Sequence, residues 1–542
     1  MSVVANKSCS HDSSVRSTLE PSLPLASTWF GGSHRRVELL ATAFTLILYV
    51  AMLVYAIPRH EPWADEAQAW ELAKTLSLKS LFGTYLHYEC SPGLWHLVLW
   101  IEARLHVTYV GMHWVSGLIA LMGVGVLIKL APFPLPVRLL LPFTYFLSFQ
   151  YAVIARSYVL FPLLLFALAV VWGRRFENPM PVFLILGLIA NLSAHGLAIT
   201  VGVACVLGLD WFSHRNELSH GIWFSATVFL IAMMGFAAWC IMPAPDAGWV
   251  VAAKQMQAHG GHTDLVRAIQ GVHPWMRRFP FRLELIIAMI IEFQQVLCQG
   301  ITDLLALGLL VWCLLGWRLW KSQSLQYMLP VLALAFPCTF TPFHFYHAGL
   351  FWLLFIFLWW VTWPQVPALE ASPGRTTNWP EKLLLWSVVL CIAIQISWAM
   401  SAFHYDAFKS YSPDRDAAVV LADYLRHGRR IDFAVPSQSD GDGHGQFYIV
   451  GLEPYFPTQP FSNMSHRLWF WGWDDAPREK YLHDSLDRSA VVVVEEINED
   501  ERYKIEEKRL EDFGYRRVKE VCGQVFYPNE KRPPLCHAFY EP

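Results

Sequence analysis

Residues 37–57 read VELLATAFTLILYVAMLVYAI: 21 residues with a single charge, Glu38, directly after Arg35 and Arg36. As a helix this run rises about 1.5 Å per residue and covers a hydrocarbon core about 30 Å thick. It is longer than a secretory core, and no small-residue cleavage site follows it, so it reads as a retained transmembrane helix. Basic residues favour the cytoplasmic side, which puts Arg35 and Arg36 inside and the segment after Ile57 on the outer face. That segment runs Arg59-His60-Glu61-Pro62-Trp63-Ala64-Asp65-Glu66-Ala67, with two adjacent carboxylates where the chain leaves the membrane.

The rest of the composition agrees with a membrane protein. Of 542 residues, 55% are hydrophobic and 16% charged, too apolar for an ordinary soluble chain. A formal net charge of -3 offers no basic stripe for a duplex, so no nucleic-acid partner is expected. The charge is also unevenly divided. Residues 402–542 hold 25 acidic against 18 basic residues, leaving 19 against 23 for the remainder, so a slightly basic membrane part carries an acidic tail domain. The ten cysteines show no C-x-x-C and no zinc-like cluster. Cys522 and Cys536 share the tail domain, where an oxidising compartment would permit one disulfide.

Residues 1–36 are polar, Ser-rich and without hydrophobic period, and are expected to form a disordered cytoplasmic tail. Lys129, Arg138, Arg174, Arg175, Arg215, Arg318, Lys321, Arg375 and Lys382 sit at ends of apolar runs and are read as cytoplasmic. Their alternation fits about eleven crossings: 37–57, 111–130, 137–154, 157–173, 180–195, 197–212, 221–241, 299–317, 325–341, 345–363 and 383–400. If 180–212 is instead a single crossing, either Leu94–Ile101 or Leu285–Val296 must cross; otherwise both lie along the outer face or re-enter. The membrane domain is thus 37–401, with long outer loops at 58–92 and 243–282. In the first, Ala67–Leu78 is helical and apolar enough to rest on the membrane surface. The second holds His259, His262, His273, Arg267, Arg277 and Arg278 among glycines, as a loop over a cavity would.

Residues 402–542 change texture. A helix is expected at Asp416–Leu425 and another at Glu499–Phe513, with strands at Ile431–Val435, Ala490–Glu495 and Gly523–Tyr527, making a small extracytoplasmic α/β domain. It carries no phosphate-binding glycine motif and no nucleophile elbow. Trp469, Trp471 and Trp473 alternate and would share one strand face, against a core, a sugar or the membrane.

Three spaced motifs carry a resemblance. Trp63-Ala64-Asp65-Glu66-Ala67, Ser91-Pro92-Gly93-Leu94-Trp95 and Ala155-Arg156-Ser157-Tyr158 fall in the order found in membrane glycosyltransferases of the GT-C fold. The chain resembles the branch that contains protein O-mannosyltransferases and lipid A aminoarabinose transferases. The likeness implies a GT-C-like helical domain in a bacterial inner or plasma membrane, and inverting transfer of a sugar from a polyprenyl-phosphate carrier to a glycan, lipid or protein acceptor. Two departures stand out. Cys90-Ser91-Pro92-Gly93 lacks the paired prolines or preceding basic residue often found there, and the late segment Thr341–His347 has histidines where the family often has an Arg-Tyr pair.

Candidate roles follow. Asp65 is the expected general base, and Glu66 a second catalytic carboxylate that orients Asp65 or holds a cation, with a solvated neighbour as the alternative. Arg156, a charge within the apolar run Tyr151–Leu165, is the expected partner of the carrier phosphate, with the snorkelling arginine of a helix end as the alternative. Tyr158 belongs to the same motif. His195 lies mid-run, and the resemblance implies a histidine near this helix end; a hydrogen-bonded core residue is the other reading. His344 and His347 share a helical face three residues apart, suited to phosphate or a metal, or else to an interface cap. His87 and Glu89 are weaker candidates. A divalent cation remains open as a cofactor. A transporter of lipid-linked glycans and a non-catalytic envelope scaffold remain open as alternative functions.

Overall fold

The computed structural model describes residues 35–216, 218–245, 247, 281–340, 343–363, 379–434, 448–464, 490–497, 501–528, 530 and 532–542. The disordered-tail reading of 1–34, the outer loop from 248 to 280 with its histidines and arginines, Arg375 and the tryptophans at 469–473 lie outside the described residues.

The described chain is mostly helical, with a small sheet near its C-terminus. Among the described residues, seven helices are long and apolar enough to cross a membrane: Arg36–Ala56, Met112–Leu130, Ser157–Arg174, Ala194–His214, His220–Ile241, Phe345–Thr362 and Trp379–Phe408. Their outer surface is itself apolar. The first helix leaves Leu40, Phe44 and Ile47 about two-thirds exposed along one face, a pattern that water would penalise and lipid would not. Phe345–Thr362 is the opposite case, apolar all round and buried on nearly every side, with Leu160–Val171, Phe281–Cys298 and Leu329–Phe340 among the helices packed against it.

Several expected crossings take other forms. Residues 137–154 are not one helix: Leu135–Leu140 stops near Pro142, and Phe146–Gln150 forms a wide turn of π-helix. Tyr145, Phe146 and Phe149 of this irregular stretch are fully buried, and the Tyr145 hydroxyl donates to Gln150 at 2.9 Å. Residues 180–212 are two elements. Met180–Ala190 has 11 residues, about 16 Å, too short to span. The chain then breaks at Asn191, whose amide donates to the Gly187 and Met233 carbonyls, and restarts at Ser193, whose hydroxyl caps the next helix. Phe281–Cys298 is a helix of 18 residues, with Met289–Cys298 its apolar part.

The segment Ala64–Thr75 is helical as expected, but nine of its residues are buried, so it does not rest exposed on a membrane surface. Leu94–Arg104 braces its C-terminal end, with Arg104 donating to the Ala73 and Lys74 carbonyls. The tail domain covers its other side: Ala64 joins a core cluster with Ile449, Val450 and Leu452.

The last membrane helix, Trp379–Phe408, has 30 residues and is about 45 Å long. Its excess over the bilayer core carries Asp406 to the junction with the tail domain. That domain is a four-stranded sheet in the order β1 (Ile431–Ala434), β2 (Val491–Ile497), β4 (Leu535–Glu541), β3 (Arg516–Gly523). β1 and β2 are parallel and the other pairs antiparallel. The strand expected at Gly523–Tyr527 is misplaced: β3 ends at Gly523, and the following residues loop back toward the membrane helices. Cys522 and Cys536, opposite each other on β3 and β4, form a disulfide.

Candidate active site

The site is assembled at the helix ends that meet this junction. Asp65 is the second residue of the Ala64–Thr75 helix, fixed there because Glu66 ties the helix start down. The Glu66 carboxylate accepts from the Trp63 amide at 3.2 Å and the Ala155 amide at 2.7 Å, and contacts His113 Nε2 at 2.9 Å. Burial acts to raise its pKa, but the His113 and His60 contacts outweigh it and hold the carboxyl well below the usual range. Glu66 is fully buried and outside the lining of the cavity described next, so it reaches the site only through its neighbours. The Ala155 contact matters because it also sets the chain position of Arg156.

Asp65 and Arg156 meet directly. Arg156 Nη2 lies 2.9 Å from Asp65 Oδ2, and the two side chains keep 16% (Asp65) and 20% (Arg156) exposure where Glu66 keeps none. That remaining exposure opens into a cavity of about 250 Å³, lined by Asp65, Glu89, His96, Arg156, Tyr158, His195 and Tyr346 among others. Burial pushes the Asp65 carboxyl up, and Arg156 opposes the shift. The Arg156 guanidinium also lies over the Tyr346 ring at 4.4 Å and the Tyr158 ring at 5.7 Å, so two aromatic faces keep it oriented.

Five of the candidate residues singled out in the sequence, Asp65, Glu89, Arg156, Tyr158 and His195, therefore share one cavity. His347 stands behind it, its ring 4.2 Å from that of His195. His344 is one layer further out, stacked with Tyr346 and 3.2 Å from Arg532 of the tail domain. Burial first, then Arg532 and Arg156, push the His344 pKa down to about 4, so its ring is neutral near pH 7. His87 turns away, its Nδ1 2.8 Å from the Met242 carbonyl.

Other members were not evident in the sequence. His96 Nε2 lies 3.2 Å from Glu89 Oε2, and Gln68 donates to Glu89 Oε1, making a second acidic edge to the cavity. Tyr346 forms part of the cavity wall, and its carbonyl accepts from the Tyr151 hydroxyl at 2.5 Å. The signal for Tyr346 was its place between His344 and His347; His96 gave none beyond its nearness to Glu89.

The arrangement offers a carboxylate beside a fixed cation in a small polar chamber at the end of a helix bundle. It can take a proton from a hydroxyl and neutralise a leaving anion within a few ångströms. Comparison with known families, curated proteins and solved structures finds no match to this chain.

Proposed function

We propose that this chain is an inverting membrane glycosyltransferase that moves a sugar from a polyprenyl-phosphate carrier to a hydroxyl-bearing glycan, lipid or protein at the outer membrane face. The observation that carries the reading is the Asp65–Arg156 pair opening into a polar cavity beside His195 and Tyr346.

In the step proposed, the acceptor oxygen forms its bond to the anomeric carbon as the bond from that carbon to the phosphate oxygen breaks on the opposite side. The electron pair leaves with the phosphate, and the acceptor proton passes to Asp65. Arg156 neutralises the charge that grows on the leaving phosphate. The resting ion pair gives this order a reason: burial raises the Asp65 pKa, and a donor phosphate that draws Arg156 away removes the charge that opposes this rise. The base then strengthens only when donor is in place.

The test uses purified full chain in detergent or vesicles with polyprenyl-phosphate sugars and a panel of acceptors, reading release of free polyprenyl phosphate. Asp65→Asn is expected to lower release by about 100- to 10,000-fold, the span of general-base help, with the protein still folded. Arg156→Ala is expected to weaken donor binding as well as turnover. Near-normal release by Asp65→Asn would sink the assignment of the base. Carrier movement across vesicles with no phosphate release would replace transfer by transport.

A further inference from the structure

Beneath the cavity, and apart from the reaction proposed above, a second cluster joins three distant parts of the chain. His60 follows the first membrane helix, Glu66 lies in the helix after it, and His113 starts the Met112–Leu130 helix. All three side chains are essentially shut off from solvent. We propose that His60, Glu66 and His113 bind one divalent metal ion, of the zinc type.

The geometry is that of a ligand set. One ligand atom from each residue falls within 4.8 Å of the others, with His60 Nε2 3.5 Å and His113 Nε2 2.9 Å from the Glu66 oxygens. An ion with tetrahedral bonds of about 2.0–2.2 Å spaces its ligand atoms about 3.3–3.6 Å apart. Modest motion of these side chains would seat it.

Hydrogen bonding on the far side of each ring is the stronger argument. His60 Nδ1 lies 3.2 Å from Asp406 Oδ1, and His113 Nδ1 lies 3.3 Å from the Val110 carbonyl. Each acceptor calls for N–H on Nδ1, which leaves Nε2 of a neutral ring as a lone pair. Both lone pairs then face carboxylate oxygens of Glu66, and His60 Nε2 has no hydrogen-bond partner among the described residues. Lone pair against carboxylate is repulsive unless a cation stands between them. An outer carboxylate or carbonyl that fixes the tautomer of a histidine is also the usual setting of a metal-bound imidazole.

Protons answer part of this, since His113 as its Nε2–H tautomer would donate to Glu66 and give up only the longer contact to Val110. His60, with Asp406 on Nδ1, would need a full imidazolium to donate from Nε2 as well. A single divalent ion instead balances Glu66 and Asp406 and takes both Nε2 lone pairs. Two imidazole nitrogens and one carboxylate oxygen favour zinc over magnesium or calcium, which take oxygen ligands. The ion would clip the start of the Asp65 helix to the membrane domain, with Asp406 linking it to the last helix.

The experiment is metal analysis of the full chain, purified without chelators and without a metal-affinity step, then dialysed against dilute zinc. One zinc per chain is expected, and cobalt exchanged into the wild type should show the visible absorption bands of tetrahedral nitrogen and oxygen ligation. His113→Ala and His60→Ala should each weaken zinc retention at least about ten-fold. His344→Gln, outside the cluster, should retain the ion. If the histidine variants do not fold, the wild-type cobalt spectrum and a chelator-induced fall in thermal midpoint decide the matter. Substoichiometric zinc with no cobalt bands would overturn the proposal and leave a hydrogen-bonded cluster. Zinc retained in full by the His60→Ala, His113→Ala double variant would overturn it too. Neither result depends on whether sugar transfer is detected.

Discussion

Asp65 and Glu66 are neighbours in sequence with the same chemistry, yet their surroundings separate them. Asp65 keeps a route to the cavity and a single cationic partner, while Glu66 is sealed among two backbone amides and two imidazoles. The same contrast of environment makes His344 a pH marker. Its folded pKa, about 4, lies below the ordinary 6.5, so the unfolded chain takes up the proton first as pH falls. The stabilisation is therefore complete above about 6.5 and is lost progressively toward about 4. Thermal midpoints measured across that window should fall more steeply for the wild type than for His344→Gln. Parallel curves for the two proteins would show that His344 is not held neutral by its surroundings.

Among the elements, the tightest approaches occur where glycine lets one helix backbone touch another. Gly202 of the Ala194–His214 helix is one, because a Cβ there would run into the Pro330 backbone of the neighbouring Leu329–Phe340 helix. Small residues permit such contacts between membrane helices, and rigid backbone cannot yield as a side-chain tip can. Gly202→Ala is expected to cost about 1–3 kcal/mol through overpacking, read as a lower thermal midpoint in detergent. Gly208→Ala on the same helix meets nothing within 4 Å and is the control. Alanine is the better helix former, so Gly208→Ala should hold or raise the midpoint, and an equal loss from both would take the effect away from the Pro330 contact.

The same scale shows what the sequence could reveal. Long apolar runs such as 37–57 and 221–241 declare themselves, since a bilayer demands length and hydropathy together. The break at residues 141–154 did not, because its residues are as apolar as a helix and only their packing around Tyr145 and Phe149 distinguishes it. Asp65 and Arg156 stood out as charges in apolar surroundings. His96, which pairs with Glu89 in the same cavity, and the buried His113 did not, because His113 meets Glu66 across 47 residues and no local pattern encodes that meeting.

At the level of the whole molecule, the tail domain is built into the candidate site. Arg415 donates to the Pro58 and His60 carbonyls, and the Ser412 amide donates to Glu61, so the domain grips the connector that leads to Asp65. A second grip comes from the loop between β3 and β4. Tyr527 of that loop packs toward Phe345, and Arg532 reaches His344, which stacks on Tyr346 of the cavity wall. The Cys522–Cys536 disulfide closes this loop at its base, with 14 residues of separation between the cysteines. Closing a loop of that size restricts the unfolded chain by about 3 kcal/mol in the chain-entropy account. The larger consequence is local, since the bond limits how far Arg532 can swing from the cavity wall. Replacing both cysteines by serine should therefore lower the thermal midpoint and also weaken donor binding, raising KM more than it lowers kcat, because Asp65 is anchored elsewhere. Arg532→Ala should reproduce the rise in KM with a smaller loss of stability. Donor affinity unchanged in both variants would confine the tail domain to holding the connector at residues 58–61 and remove it from the cavity wall.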